Sequence, residues 1–490
     1  MHLHDLIGGL GGSEQRGELH VDVRSIVHDS RDVTPGAMFA CIRGASTDGH
    51  AYAAAAVDAG AVALLVEEFV ALPVPQVRVE SVRRALGPLA ARLYGSPSRS
   101  MRVLGVTGTN GKTTTTYLLE AVAAAAGDIT GLIGTTGARI GPRSVPLART
   151  TPEATDLQAL LHAMHDAGVG TVAMEVSSHA LHQHRVDGTE FAAVAFLNLS
   201  HDHLDYHTSM DEYFDAKAQL FGARFAKRGA INLDDPYGRR LLARAQAAGV
   251  DVWTFGSDDG ADITAQDVEF GTRGAQFRLV SRRDDAEVPV DFALAGPFNV
   301  TNALAAAATA RAAGFPLAAI ADGLSAPVVV PGRFERVDAG QDFAVLVDYA
   351  HTPDALERVL DAARAVAGPR GRIAVVFGCG GDRDRAKRPL MGAAAARGAD
   401  IAVVTSDNPR SEDPAAIAND VLAGVAPDRQ PVVELDRRAA IRVALAQARA
   451  GDVVVIAGKG HETGQTTGGV TIAFDDREVA REELEGLPCP

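Results

Sequence analysis

The stretch GVTGTNGKTTTTYLLEAVAAAAG, residues 105–127, constrains the fold more than any other. A short apolar run from Val103 to Val106 enters a turn with glycines at 108 and 111, and Lys112-Thr113 opens an alanine-rich helix. Strand, glycine-rich turn and helix in that order predict an α/β sheet that holds an anion at the helix N-terminus. Unpaired N–H groups and the helix dipole favour negative charge there. The phosphate-loop spacing G-x-x-x-x-G-K-[ST] is missed by one place, because Val106 stands at the first glycine position. The rest of the pattern fits. Gly108, Thr109, Asn110, Gly111, Lys112, Thr113 and Thr114 become candidates for a nucleotide's phosphate tail. Backbone N–H groups from Thr109 to Lys112 are expected to face phosphate oxygens. Lys112 is expected to reach the terminal phosphates, and Thr113 to offer its hydroxyl to Mg2+. A plain glycine-rich turn is the competing reading, but it does not require strand, Gly-Lys-Thr and helix together.

The 490 residues suggest about three domains. Residues 1–98 alternate short strands, such as GAMFACIRG and AVALLVEE, with helices, and the linker-like YGSPSRSMR follows. Residues 99–332 hold the phosphate loop and the apolar strands TVAMEV, AAVAFLNL and RGAINL, spaced by helices. Pro331-Gly332 marks the next junction. From 333 to 490 the pattern restarts with FAVLVDYA, RIAVVFGCGG, ADIAVVTSDNP and GDVVVIAGKG, each ending in a polar or glycine-rich loop. The expectation is a three-domain α/β chain with a central parallel sheet and a C-terminal Rossmann-like domain. Ligands should sit at the carboxyl ends of the strands.

A net charge of −15 argues against a nucleic-acid partner, which requires clustered Lys and Arg. Three well-separated cysteines, Cys41, Cys379 and Cys489, form neither a disulfide framework nor a zinc pattern. No signal peptide and no apolar run of membrane-spanning length is visible, so a cytoplasmic enzyme without membrane insertion is expected, and we expect it to act as a monomer.

Further candidates follow the loop. Glu175 ends the apolar run TVAME, and a carboxylate there suits Mg2+, a hard cation. Ser177, His179, Gln183 and Arg185 follow closely. The segment NLSHDHLDYHTSMDEYFDAKAQLF is rich in histidines and carboxylates but lacks zinc-protease spacing. By spacing alone it reads as a capped helix start with surface histidines, and Lys217 as a surface lysine.

Together these motifs resemble the Mur ligases, ATP-dependent amide synthetases of peptidoglycan precursor assembly. GVTGTNGKTTT, MEVSSHALHQHRV, NLSHDHLDYH, GPFNVTNALAA, PGRFE, DYAHTPDAL, GCGGDRDRAKRPLM, SDNPR and GKGHE occur in that family's order. The family's own phosphate loop carries the same glycine offset. The resemblance implies that ATP phosphorylates a substrate carboxylate and that an amine then attacks the acyl phosphate and expels phosphate. Alignment and charge neutralisation dominate such catalysis.

By resemblance, Lys112, His203 and Lys217 serve catalysis, Thr113 and Glu175 hold one Mg2+, and His203 helps to hold a second. Lys217 matches a lysine that the family carbamylates with CO2, which turns a cation into an oxygen ligand. Asn299, Asn302, Arg333 and Asp348 are implied at the ATP site. Read alone, Asn299 is a helix cap and Arg333 and Asp348 a surface ion pair. A UDP-MurNAc-dipeptide is expected between the first two domains, at Ser30, Ala45, Ser46, Thr47, Thr150, Thr151, Ser177, Gln183 and Arg185. His28 and Arg149 stand where the family varies, and Ser30-Arg31 also reads as a self-stabilised turn.

The amino acid added is diaminopimelate or lysine. A guanidinium pairs with the distal carboxylate of diaminopimelate and repels lysine's ammonium. The DNPR run is similar to that of diaminopimelate-adding members. It nominates Asp407, Asn408, Pro409 and Arg410, with Arg383, Gly458 and Glu462 completing the pocket. The run does not separate the meso from the LL isomer. A P-loop GTPase or kinase, and an inactive binding protein of the same fold, are the rival classes. No N-K-x-D guanine-reading motif occurs.

Overall fold

The computed structural model describes residues 1–486 except 45, 46, 204, 205, 259, 272, 273 and 430. The candidates Ala45 and Ser46, and Cys489, lie outside the described residues.

Three sheets divide the chain. The N-terminal sheet has the order Glu14–Arg16, Gln76–Arg78, Ala63–Val66, Ala37–Ala40, Ser25–Val27, parallel except at Glu14–Arg16. Helix Val82–Leu93 is capped by Ser81 and packs against helix Ala154–Asp166 of the next sheet's layer. The His28 ring also meets the Thr155 hydroxyl at 3.1 Å across that boundary.

The central sheet is mixed, where a parallel sheet was expected. Its parallel interior runs Asp251–Phe255, Arg228–Asn232, Ala193–Phe196, Arg102–Thr107, Thr171–Glu175, Thr130–Gly134. Ile263–Gly271 joins Asp251–Phe255 in parallel and continues into an antiparallel run through Gly274–Ser281 and Ala286–Phe292, while Gly137–Ile140 and Arg143–Val145 extend the other edge antiparallel. The difference is physical. The interior strands are covered on both faces, whereas Gly274–Ser281 alternates buried with less buried positions and much of Ile263–Gly271 and Ala286–Phe292 is exposed, as a sheet with one wet face is. Helices Lys112–Ala125, Pro297–Ala312 and Leu317–Ser325 pack one face, while Ala154–Asp166, Met210–Ala218 and Pro236–Ala247 pack the other. Alanines make Pro297–Ala312 thin enough to be buried along most of its length.

The C-terminal sheet runs Glu335–Val337, Ala344–Asp348, Val453–Ala457, Ile373–Phe377, Ile401–Val404, Val432–Val433 and is parallel except at Glu335–Val337. Its strand ends are pinned from below by Arg437, which is fully buried and paired with Asp476 at 2.7 Å. The Arg437 guanidinium also donates to the carbonyl of Ser406, just past strand Ile401–Val404, and to that of Ala457, the last residue of strand Val453–Ala457. A separate hairpin, Gly464–Thr467 with Val470–Ala473, stands beside this end of the sheet. Among the described residues no helix is long and apolar enough to cross a membrane.

Candidate active site

A cleft of about 530 Å³ opens where the carboxyl ends of the central strands face the C-terminal domain. Of the sequence candidates, Thr109, Asn110, Gly111, Lys112, Thr113, Thr114, Thr150, Thr151, Glu175, Ser177, Arg185, His203, Asn302, Arg333, Asp348 and Arg383 line it.

The phosphate loop joins strand Arg102–Thr107 to helix Lys112–Ala125. Two of its amides are already engaged. The Thr109 N–H donates to the Asn198 carbonyl at 3.0 Å, and the Asn110 N–H to the Asn198 side-chain oxygen at 2.9 Å. The expected Thr109–Lys112 cradle is therefore corrected at its first two amides, and the anion-facing end is the helix start from Gly111. The Lys112 ammonium folds back onto the carbonyls of Gly108 (2.9 Å) and Thr109 (2.8 Å). Desolvation pulls its pKa below the ordinary lysine value, although Glu175 and Asp202 oppose the shift.

Glu175 ends its strand almost fully buried. One carboxylate oxygen accepts from the Thr113 hydroxyl (3.0 Å) and the Thr135 N–H (2.8 Å), and the other from the Thr135 hydroxyl (3.0 Å). The carboxylate is thus fixed beside the helix start, which fits a hard divalent cation there. Among the described residues no cluster of three or more His, Cys, Asp or Glu forms a metal-binding group.

Lys217 is no surface lysine. It is buried, its ammonium donates to the Gly108 carbonyl at 2.8 Å, and it lies 4.6 Å above the Tyr213 ring. Burial, aided by Lys112, drives its pKa well down, with Asp202 opposing. A neutral amine is the form that adds CO2. His203 sits nearby in a left-handed backbone conformation (φ 54°) and takes its neighbour's carboxylate at its own N–H, 2.9 Å from Asp202 Oδ1. Desolvation brings His203 to about 4 against the pull of Asp202, leaving a neutral imidazole near pH 7.

The C-terminal domain closes the cleft. The Arg333 guanidinium donates to the Thr113 hydroxyl at 3.1 Å and stacks on Tyr349 at 4.4 Å. Asp348 is buried, accepts from the amides of Phe334 and Ala350, and has its pKa raised by burial with Arg333 opposing. The surface-ion-pair reading of Arg333 and Asp348 is thereby excluded. The Asn110 amide reaches Asp354 at 3.0 Å across the same boundary. Asn299 is neither a cap nor a lining residue: Gly296 caps its helix, and its carboxamide oxygen accepts from Asn302, holding that residue from behind at 3.1 Å.

The proposed sugar-peptide residues separate. Thr150 meets Thr135 at 3.2 Å, and Thr151 donates to the Glu175 carbonyl at 2.9 Å. Ser177 caps helix Ser178–His182. Arg185 reaches the Thr151 carbonyl and Gln183, and the Gln183 amide donates to Tyr206 outside the cleft lining. Ser30 opens a single turn of 3-10 helix capped by Asp29, which is the self-stabilised turn, and Thr47 accepts from Gly44. Neither residue lines the cleft.

Asp407, Asn408, Pro409, Arg410, Gly458 and Glu462 gather at the carboxyl ends of the C-terminal strands. The Asn408 amide donates to Glu462 at 2.8 Å, Gly458 lies against the Asp407 carboxylate, and Arg410 donates to the Gly381 carbonyl at 2.6 Å. Arg383 bridges this group to the main cleft.

Sequence reading passed over Thr135, Asn198, Asp202, Tyr349 and His351, all cleft residues. Asn198, Asp202, Tyr349 and His351 stood inside motifs already singled out, NLSHDHLDYH and DYAHTPDAL. Thr135 carried no signal, because its role depends on a carboxylate 40 positions away.

Three family models match the chain: "Mur ligase family, catalytic domain" over residues 22–94, "Mur ligase middle domain" over 106–310, and "Mur ligase, glutamate ligase domain" over 332–460. The UDP-N-acetylmuramoyl-L-alanyl-D-glutamate--2,6-diaminopimelate ligase of Geobacillus thermodenitrificans is 48% identical over 99% of both chains. The protein of the same name from Streptomyces avermitilis is 48% identical over 99% of this chain and 96% of its own. A solved structure of a ligase with that name superposes with a TM-score of 0.72 at 35% identity, covering 99% of each chain. The chain belongs to the Mur ligase family.

Proposed function

We propose that the protein joins diaminopimelate, most simply the meso isomer, to the D-glutamate carboxylate of UDP-MurNAc-L-Ala-D-Glu with consumption of ATP. One observation carries the reading. A single cleft is lined by a phosphate loop, a hydroxyl-bonded carboxylate beside it, and Arg333 and Arg383 from the domain that bears the DNPR loop. Acid, nucleotide and amine therefore meet in one enclosed place. The names carried by the relatives support the same substrates.

The division of labour follows from the residues. Residues 1–98 and the neighbouring central strand ends would hold the UDP-sugar, 99–332 the nucleotide, and 333–490 the amino acid. Lys112 leaves the loop carbonyls and offsets charge on the phosphate being transferred. Thr113 and Glu175, already 3.0 Å apart, would present oxygens to Mg2+, and His203 and a carbamylated Lys217 would be further ligands. When bound, Mg2+ supplies charge neutralisation at the phosphate oxygens. Arg333 contacts Thr113 directly, so closure of the C-terminal domain and assembly of the phosphate site are one event. That closure excludes water from an acyl phosphate that water would hydrolyse. In the second step the amine attacks the acyl carbon, loses a proton, and phosphate leaves. Arg410 and Asn408 would hold the distal carboxylate of diaminopimelate, and Glu462 and Asp407 its distal ammonium.

The test is phosphate release from ATP by the purified protein with UDP-MurNAc-dipeptide, supplying diaminopimelate or lysine separately. Release that depends on diaminopimelate and yields the amide is expected. Release with lysine alone would overturn the specificity.

A further inference from the structure

The DNPR loop is held by bonds from neighbouring segments. Arg410 sits in the left-handed region at φ 54°, which a residue with a long side chain seldom adopts unaided. The hairpin Gly464–Ala473 supports it on three sides. The Arg410 N–H donates to the Thr466 carbonyl at 2.9 Å, and its carbonyl accepts from the Gly468 N–H at 2.6 Å. Beside it the Thr466 N–H donates to the Asn408 side-chain oxygen at 3.0 Å. Below, the Gln465 carboxamide donates to the Asp407 carbonyl at 2.8 Å and the Ser406 carbonyl at 3.4 Å. Arg410 and Thr467 form an isolated parallel bridge, so the loop pairs with the hairpin at that one position.

The hairpin has little else to hold. Its second strand, Val470–Ala473, is exposed throughout. Its turn, Gly468-Gly469, has φ +58° and +80°, the geometry that a two-residue hairpin turn requires. A lone two-stranded hairpin is marginal in water, so the hairpin leans on the loop, while the loop is held on one flank by the hairpin and on the other by Gly381 and Asp382. Of the residues that would read the amino acid's distal head, the hairpin bonds the Asn408 side chain and the Arg410 backbone, and so sets where the Arg410 side chain starts.

We propose that the hairpin Gly464–Ala473 is a clamp that sets the pocket for the incoming amino acid, with Gln465 and the Gly468 turn as its positioning residues. This rests on the assignment of the DNPR loop to the distal amino-acid head of diaminopimelate. The clamp acts on amino-acid selection and leaves nucleotide and sugar binding alone, because among the described residues its bonds go to residues 406–410 and to the Lys459 ammonium, and none to the phosphate loop.

The test compares wild type with Gln465→Ala, Gly468→Val and Gly468→Asn. Valine is strained at positive φ, whereas asparagine tolerates it. For Gln465→Ala and Gly468→Val the KM for diaminopimelate is expected to rise about tenfold or more, and the preference over lysine to fall. The KM values for ATP and UDP-MurNAc-dipeptide should stay within about twofold, and Gly468→Asn should behave as wild type. Hydrogen exchange of the peptide covering 406–410 should quicken in the first two variants. A uniform fall in kcat with unchanged KM, or unchanged exchange at 406–410, overturns the clamp. Arg410→Ala separates the two ideas. An unchanged diaminopimelate KM in that variant refutes the pocket assignment, whereas a raised KM there with an unaltered one in Gln465→Ala refutes the clamp alone.

Discussion

Gly332, at the junction of the central and C-terminal domains, gives a sharp test of how closely the cleft is assembled. Its backbone lies at φ +62°, and a Cβ placed there would overlap the His461 amide nitrogen and the Gly460 carbonyl carbon and come to 2.6 Å from the Gly460 Cα. Ordinary contact begins at 3.4 Å, so Gly332→Ala must drive the junction and the GKGHE loop apart by roughly 1 Å. Two costs add: about 1–2 kcal/mol for an alanine in the left-handed region, and about 1–3 kcal/mol for the overlap. A built-in control exists. Gly340 has φ +90° with nothing within 4 Å of its would-be Cβ, so Gly340→Ala carries the backbone cost alone. Urea unfolding should show a loss of about 2–5 kcal/mol for Gly332→Ala and about 1–2 for Gly340→Ala. Phosphate release should fall on the order of 100-fold in Gly332→Ala, because a shift of about 1 Å misaligns reacting groups. It should be almost unchanged in Gly340→Ala. Equal effects of the two substitutions, on either stability or rate, would refute the claim that close approach of these loops matters.

Other expectations follow from buried groups. Asp476→Ala should destabilise the protein by about 3–5 kcal/mol in urea unfolding, since it leaves the fully buried Arg437 guanidinium uncompensated; a loss under about 1 kcal/mol would count against that pairing. Lys217→Ala should lower amide formation by about 100-fold and should not respond to bicarbonate, while wild type depleted of CO2 should recover on adding it; undiminished activity would remove the carbamate. Burial pushes the thiols of Cys41 and Cys379 up to about 12, so thiolate is scarce at pH 8. Iodoacetamide should therefore label both on the order of a thousand-fold more slowly in the native protein than after unfolding, as read by peptide mass mapping.

Legibility in the sequence followed the range of the interactions. The phosphate loop, the strand-ending Glu175 and the DNPR run could be read because their chemistry is written in adjacent residues. Four of the parallel interior strands were legible as apolar runs, whereas Thr130–Gly134 and Asp251–Phe255 were passed over. The antiparallel edge strands at 263–292 were missed, because their alternation is weak evidence until the neighbouring strand is known.

Two sites show where sequence reasoning alone stops. Lys217 looks solvent-facing on its helix, yet it is buried because Gly108, 109 positions earlier, is folded against it. Asn299 looks like a cap, yet it props Asn302.

The order of strand, turn and helix, and the charge and donor type of each candidate, were settled by the chain itself, since rotation about neighbouring bonds and local hydrogen bonding decide them. Which amides of the phosphate loop remain to face an anion, which lysine is stripped of water, and that Arg333 closes on Thr113 across 220 positions were decided only by folding. Desolvation and long-range contact depend on what the rest of the molecule brings alongside, and no local pattern encodes that.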